Sequence, residues 1–181
     1  FDNKDLENVR IDRRRKLHAT ILLKALGYTG EELLRQFYKT EQISISKNGS
    51  FQLVLNYDLL RGQRASYDIV DPKSKKIYVK KNRRISVGAI RQMQKDGLKF
   101  QEIDREFIIG KVLAENIFDA DKNIIIPINT EVTDEHINLI LEEKISNFEI
   151  LFIDGINADS SLRETLLADK AETQDEAIIE I

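Results

Sequence analysis

Two clusters of cations, rather than a catalytic set, are the residues here whose types and spacing point most directly to chemistry. Arg13, Arg14, Arg15 and Lys16 form one unbroken run, and Lys80, Lys81, Arg83 and Arg84 place four more cations around Asn82. Such density suits a phosphate backbone, which rewards charge and carries no sequence information. Neither an RNP-like aromatic pattern nor a G-x-x-G clamp accompanies them, so the reading of bases is not indicated. The competing interpretation is a solvated charge run, or arginines paired internally with Asp12 and neighbouring carboxylates.

Groups suited to covalent or metal chemistry are sparse. His18 and His136 lie far apart in sequence and belong to no H-x-x-x-H or H-E-x-x-H pair. Cysteine is absent, which excludes disulfides and thiolate metal sites. There is no G-x-x-x-x-G-K, G-x-G-x-x-G or G-x-S-x-G motif to cradle a phosphate or expose a nucleophile. Asp119 and Asp121 flank an expected turn, and with His136 they are the one set from which a metal-dependent hydrolase could be assembled. Two loop carboxylates are too few partners for Mg²⁺. From the residues alone the chain is a non-catalytic module that faces a polyanion.

The elements that must position these residues follow from periodicity. Val9 to Asp12 alternates as an edge strand does, and the block 13–16 leads into a helix carrying Leu17, Ile21, Leu22, Ala25 and Leu26, stopped by Gly27. Thr29 with Glu32 is a capping box for a second helix bearing Leu33, Leu34 and Phe37, and the two helices are expected to form an antiparallel hairpin. Near residue 40 the period changes to two. Ile43 and Ile45, a turn at 47–50, then Phe51, Leu53 and Leu55 predict a β-hairpin around Asn48-Gly49. A further strand is expected over 66–70. Ser161 with Glu164, and Thr173 with Glu176, predict two more capping boxes.

An internal repeat occupies the second half. Ile77-Tyr78-Val79 matches Ile124-Ile125-Ile126, Asn82 matches Asn129, and Ile85-Ser86 matches Val132-Thr133; Ile90, Met93, Leu98 and Ile103 continue as Ile137, Ile140, Ile145 and Ile150, each pair 47 residues apart. Each copy reads as strand, turn, capped helix and strand, joined by an expected strand over 111–116. Two copies are too few for a solenoid, so a pseudo-symmetric pair sharing a core is expected.

Charge is distributed unevenly beneath a net −3. Residues 1–111 carry 24 of the 28 basic and 14 of the 31 acidic side chains, a balance of +10, and residues 112–181 carry 4 and 17, a balance of −13. A basic part can line a polyanion's path while an acidic part offers a surface to proteins. A length of 181 residues suits one domain or two small ones. The absence of a long apolar run and of a signal-peptide pattern predicts a cytoplasmic protein without a membrane association. The opening on Phe1 and the helix that ends in mid-turn at Ile181 suggest a piece of a longer chain.

The segment Val9-Arg10-Ile11-Asp12-Arg13-Arg14-Arg15-Lys16, followed by L-x-A-T-I-L-L-K-A-L-G, resembles the bacterial, and specifically proteobacterial, DNA-directed RNA polymerase β-subunit family. Phe1-Asp2-Asn3-Lys4-Asp5, Leu60-Arg61-Gly62, Ala65-Ser66-Tyr67-Asp68-Ile69, Gly110-Lys111-Val112 and Glu164-Thr165-Leu166 fall in the order that family shows, so the resemblance spans essentially the whole chain. His18 departs from it, standing where the family usually has proline in a first helical turn, a change that should leave the fold intact.

The resemblance implies an α+β architecture in which a small helical lobe framework, 1–40 with 173–181, carries a lineage-specific mixed α/β insertion at 41–172 containing the two strand–helix–strand repeats. It implies a transcriptional role as a non-catalytic part of a nucleotidyltransferase, forming cleft wall near downstream DNA and a docking surface for regulators. Arg13, Arg14, Arg15 and Lys16 are then the DNA-facing candidates, with Lys80, Lys81, Arg83 and Arg84 a secondary basic patch. The catalytic Mg²⁺ would belong to another subunit, leaving this part without a cofactor. Partners would be the β′, α, ω and sigma subunits, DNA, and regulators of the secondary channel. The alternative from another class is a stand-alone regulatory or adaptor protein with a basic nucleic-acid-binding face.

Overall fold

The computed structural model describes residues 6–11, 16–154 and 159–181. Among them are eight helices and several small antiparallel sheets, the expected α+β class. The chain divides into two compact units. One comprises the residues up to Thr40 with Val112–Thr130 and Leu151–Ile181, and the other comprises Glu41–Lys111 with Glu131–Ile150. One boundary between the units falls at the change of period near residue 40. Residues 112–130 and the described residues of 151–172 fold with the chain ends.

In the first unit, β1 (Asn8–Arg10) pairs antiparallel with β2 (Lys16–His18), and α1 (Ala19–Ala25) follows. Leu17, expected to open the helix, instead lies in β2 opposite Val9, so the cationic run sits between two strands rather than between a strand and a helix. The helix ends as Gly27 predicts. At φ +102° its N–H reaches Lys24 O while Tyr28 N–H reaches Leu23 O, a Schellman motif that needs the left-handed glycine. In α2 (Gly30–Phe37) the capping box is realised: Glu32 N–H donates to Thr29 Oγ1 at 3.1 Å and Thr29 N–H donates to Glu32 Oε2 at 2.8 Å. The Thr29 N–H and hydroxyl, both donating to the carboxylate, hold the Glu32 carboxyl below its ordinary pKa.

The expected hairpin of α1 on α2 gives way to a different pairing. The main partner of α1 is α8 (Gln174–Glu180), with α7 (Ser161–Ala168) also touching α1 and α2. Leu17, Ile21, Ala171 and Ala177 form their core. Thr173 caps α8 through the predicted box with Glu176. For α7 the prediction is displaced: the cap is Ser160, whose hydroxyl donates to Glu164 at 2.7 Å, while Ser161 N–H donates to Asp159.

A buried ion pair ties the two chain ends. Lys24 Nζ lies 2.9 Å from Asp169 Oδ2, with side chains 9% and 0% exposed. Lys24 also donates to Ala171 O, and Asp169 accepts from Thr20 Oγ1 and from Ala171 N–H, both at 2.9 Å. A buried pair repays its desolvation only with such additional hydrogen bonds.

In the second unit a four-stranded sheet runs β10-β3-β4-β7, built from β3 (Thr40–Ile45), β4 (Phe51–Val54), β7 (Phe100–Ile103) and β10 (Asn147–Leu151). The hairpin predicted around Asn48-Gly49 forms, and its register sets Ile43 opposite Leu53 and Ile45 opposite Phe51. Each flanking strand closes one copy of the repeat.

That repeat is longer than the sequence comparison indicates. The first copy runs through α3 (Tyr57–Leu60), β5 (Ile69–Val70), β6 (Ile77–Val79) and α4 (Val87–Lys95) to β7. The second runs through α5 (Arg105–Ile108), β8 (Ile117–Phe118), β9 (Ile124–Ile126) and α6 (Asp134–Glu142) to β10. Lys75 and Lys122, Asn82 and Asn129, and Gly97 and Lys144 all adopt positive φ, each pair 47 apart. Upstream of the β5–β6 turn the offset becomes 48, as Gly62 and Gly110 show. The turn is one residue shorter in the second copy: Asp71 N–H reaches Lys76 O, but Asp119 N–H reaches Asn123 O. Residues 111–116, expected as a connecting strand, thus lie inside the second copy, and of the strand expected over 66–70 only Ile69–Val70 forms.

The buried pair makes a stability prediction. Asp169→Ala leaves the Lys24 ammonium buried without its counter-ion and should cost about 3–5 kcal/mol in urea unfolding. Adding Lys24→Met should recover much of that loss. Equal losses in the single and double variants would show that the two charges are not coupled.

Candidate nucleic-acid interface

Arg13, Arg14 and Arg15 lie outside the described residues. Lys16, the described member of the run, opens β2 directly opposite Arg10 in β1. Both side chains are exposed, and neither makes an ion pair to a described residue. Like charges facing one another across a ladder repel, so this hairpin concentrates positive potential rather than neutralising it. Arg10 was missed as a site residue. Its signal was the alternation of Val9-Arg10-Ile11, which puts Arg10 on the solvent face beside the run.

Lys80, Lys81, Arg83 and Arg84 surround a tight corner between β6 and α4, and all four are exposed. Their backbone is held closely. Asn82, at φ +64°, donates its N–H to Ala65 O at 2.7 Å, and Ala65 N–H donates to Arg83 O at 2.9 Å. Lys81 N–H donates to Asp68 Oδ1 at 2.6 Å. Arg64 joins the cluster across a bridge to Arg84, its Nη1 donating to Asn82 O at 3.0 Å. No ion pair among the described residues engages Lys80, Lys81, Arg83 or Arg84. The first copy is not uniformly free of pairs. Lys76 Nζ sits 2.7 Å from Asp96 and 4.8 Å from the Tyr78 ring centroid, and bonds from Lys76, Gln92 and Tyr78 draw the Asp96 carboxyl down to about 2.

Two of the residues considered for hydrolysis, Asp119 and His136, are used structurally. Asp119 accepts from Asn123 N–H and Nδ2, which lowers its pKa, and so closes the β8–β9 turn. Thr133 caps α6, with His136 N–H donating to its Oγ1 and Thr133 N–H donating to His136 Nδ1. His136 stands in the first turn of α6 and is half-buried. No group of three or more His, Asp or Glu is placed to hold a metal ion among the described residues.

Arg163 is a cation that sequence reasoning overlooked. It is buried, 9% exposed, and answers to an asparagine instead of a carboxylate. Its Nε donates to Asn129 Oδ1 at 3.0 Å and its Nη2 to Asn129 O at 3.3 Å, while Asn129 Nδ2 donates back to Arg163 O. The sequence holds no local signal for this, because the partner lies on a distant turn.

His18 ends β2, one residue before the helix. Its φ of −63° and ψ of 136° already suit proline. Ala19 N–H bonds to Glu7 O, so by alternation the neighbouring Asn8–His18 pair carries no ladder bond. His18 Nδ1 is buried without a partner. His18→Pro should therefore raise stability by about 0.4–1 kcal/mol, seen as a higher Tm. A fall in Tm would mean that the imidazole or its N–H does support the hairpin.

Comparison with known proteins supplies the context for these surfaces. No protein-family model matches the chain. The DNA-directed RNA polymerase subunit beta of Sorangium cellulosum (strain So ce56) is 43% identical over 182 residues, covering 100% of this chain and 13% of the relative. The subunit of the same name from Geobacter sp. (strain M21) is 44% identical over 182 residues, again 100% of this chain and 13% of the relative. That of Anaeromyxobacter sp. (strain Fw109-5) is 42% identical over 196 residues, 100% of this chain and 14% of the relative. The chain thus spans well under a fifth of the length of these relatives, and the reading as a stand-alone adaptor gains no support from them. From its first residue to its last, the chain belongs, as a segment, with the bacterial DNA-directed RNA polymerase β subunits.

Proposed function

We propose that this segment is a non-catalytic part of the polymerase, forming cleft wall beside downstream DNA and a docking surface for regulators. The observation that carries this reading is the match to β subunits over the whole chain, joined to the exposed cations Arg10 and Lys16 that face one another across the β1–β2 ladder. On this reading Arg13, Arg14, Arg15 and Lys16, with Arg10 beside them, meet the phosphate backbone. Nucleotidyl transfer and its Mg²⁺ belong to another subunit of the cytoplasmic enzyme. The β′, α, ω and sigma subunits complete the assembly, and no helix among the described residues is long and apolar enough to cross a membrane.

The lobe framework is assigned to 1–40 with 173–181, and the lineage-specific insertion to 41–172. The Lys24–Asp169 pair argues that the framework needs Asp169 beside it. The acidic balance of residues 112–181 suits a surface for protein regulators better than one for nucleic acid.

Two experiments on the whole polymerase test this. Replacing Arg13, Arg14, Arg15 and Lys16 by Gln should lower the log–log salt slope of downstream-DNA binding by about 0.9 for each phosphate that is no longer neutralised. An unchanged slope would assign the run to structural ion pairs. Removing residues 41–158, which keeps Asp169 beside Lys24, should leave basal RNA synthesis intact and blunt the response to secondary-channel regulators. Loss of basal synthesis would overturn the docking role.

A further inference from the structure

The two repeat copies build one backbone corner twice, and one of the two is covered. In both, an asparagine at φ +64° closes the turn, Asn82 in the first copy and Asn129 in the second. The bonds around it correspond one for one: Asn82 N–H to Ala65 O at 2.7 Å and Asn129 N–H to Leu113 O at 2.9 Å, then Ala65 N–H to Arg83 O and Leu113 N–H to Thr130 O, both at 2.9 Å.

In the second copy a helix lies on this corner. Arg163 of α7 exchanges three hydrogen bonds with Asn129, and Leu162 and Leu166 belong to the same apolar cluster as Ile128. Asn129 is consequently 8% exposed, whereas Asn82 stands on the surface. The carbonyl that accepts Arg163 in the second copy is satisfied in the first by Arg64, from within the same unit. A helix arriving at the first corner therefore has no need to bring an arginine.

The charge at the two corners is opposite in sense. Pro127-Ile128-Asn129-Thr130-Glu131 contains no cation, while Lys80-Lys81-Asn82-Arg83-Arg84 contains four. The inversion reaches equivalent atoms. A Cβ on Gly62 would lie 3.7 Å from Arg84 Nη2, and one on Gly110 would lie 3.9 Å from Glu131 Oε1.

We infer that the 80–84 corner is a docking site for a carboxylate-rich helix of a protein partner, the intermolecular counterpart of the seat that α7 occupies on the second copy. The inference rests on the repeat and its charges, and is independent of the cleft-wall reading. A helix fits because the same backbone corner already receives one, and its acidity follows from four exposed cations that make no ion pair with a described residue.

The test uses the 181-residue chain and a helix-stabilised peptide of residues 159–170 carrying Arg163→Glu, titrated by NMR. The peptide should shift the amides of 62–65 and 80–85 and weaken as salt rises. Arg83→Gln with Arg84→Gln, checked for unchanged Tm, should reduce its affinity about tenfold, a loss of roughly 1.4 kcal/mol. The unaltered 159–170 peptide should bind more weakly than the Arg163→Glu form. Equal binding of both peptides, or no shifts at the corner, would overturn the proposal. So would a short DNA duplex that occupies the same amides more tightly than the peptide, since that would make the corner a phosphate site.

Discussion

The first unit depends on one buried contact, the Lys24 ammonium against the Asp169 carboxylate. It joins a helix near the start of the chain to the turn before its last helix, so the long stretch between them must leave the unit and return. Closing a loop of that length costs on the order of 4 kcal/mol in chain entropy. The ion pair does not offset this alone, because desolvating two charges consumes most of their attraction. Thr20, the Ala171 backbone and the apolar faces of Ile21 and Ala177 complete the seal. What the ion pair contributes is uniqueness: a helix slipped by one residue would leave both charges buried and unpaired.

The excursion that this pair closes is built by repetition. Each copy carries a short helix, a β-ribbon, a left-handed corner, a capped helix and a closing strand, and the closing strands flank a shared hairpin. Sharing one backbone has not meant sharing one surface. Where the second copy places Ile128 and Asn129 it receives a helix of its own chain, and where the first places Lys80, Lys81, Arg83 and Arg84 the corner stays open. The cost of burying four cations without partners would far exceed any gain from packing. Composition therefore decides which corner is interior.

Local features were legible beforehand because their causes are local. The Thr29–Glu32 and Thr173–Glu176 boxes, the Asn48-Gly49 hairpin and the Gly27 stop each involve residues within a few positions of one another. Errors arose where a distant partner outweighed local preference. Leu17 has the spacing of a helix residue, yet Val9 across the ladder draws it into a strand. The repeat was visible only from residue 77 onward, because one residue missing from the β8–β9 turn shifts the offset from 47 to 48 and breaks a fixed-period match.

The sequence by itself determined the family, the α+β class, the capped helices, the later part of the repeat and the existence of two cationic clusters. These rest on residue identity and short spacing, which the chain carries in any conformation. The tertiary structure alone decided that α1 packs on α8 rather than α2, that Arg10 stands opposite Lys16, that Arg163 is interior, and that one of two equivalent corners is covered. Each of those outcomes depends on groups far apart in the chain. Burial and pairing are properties of the neighbours a fold assembles, and no local pattern encodes them.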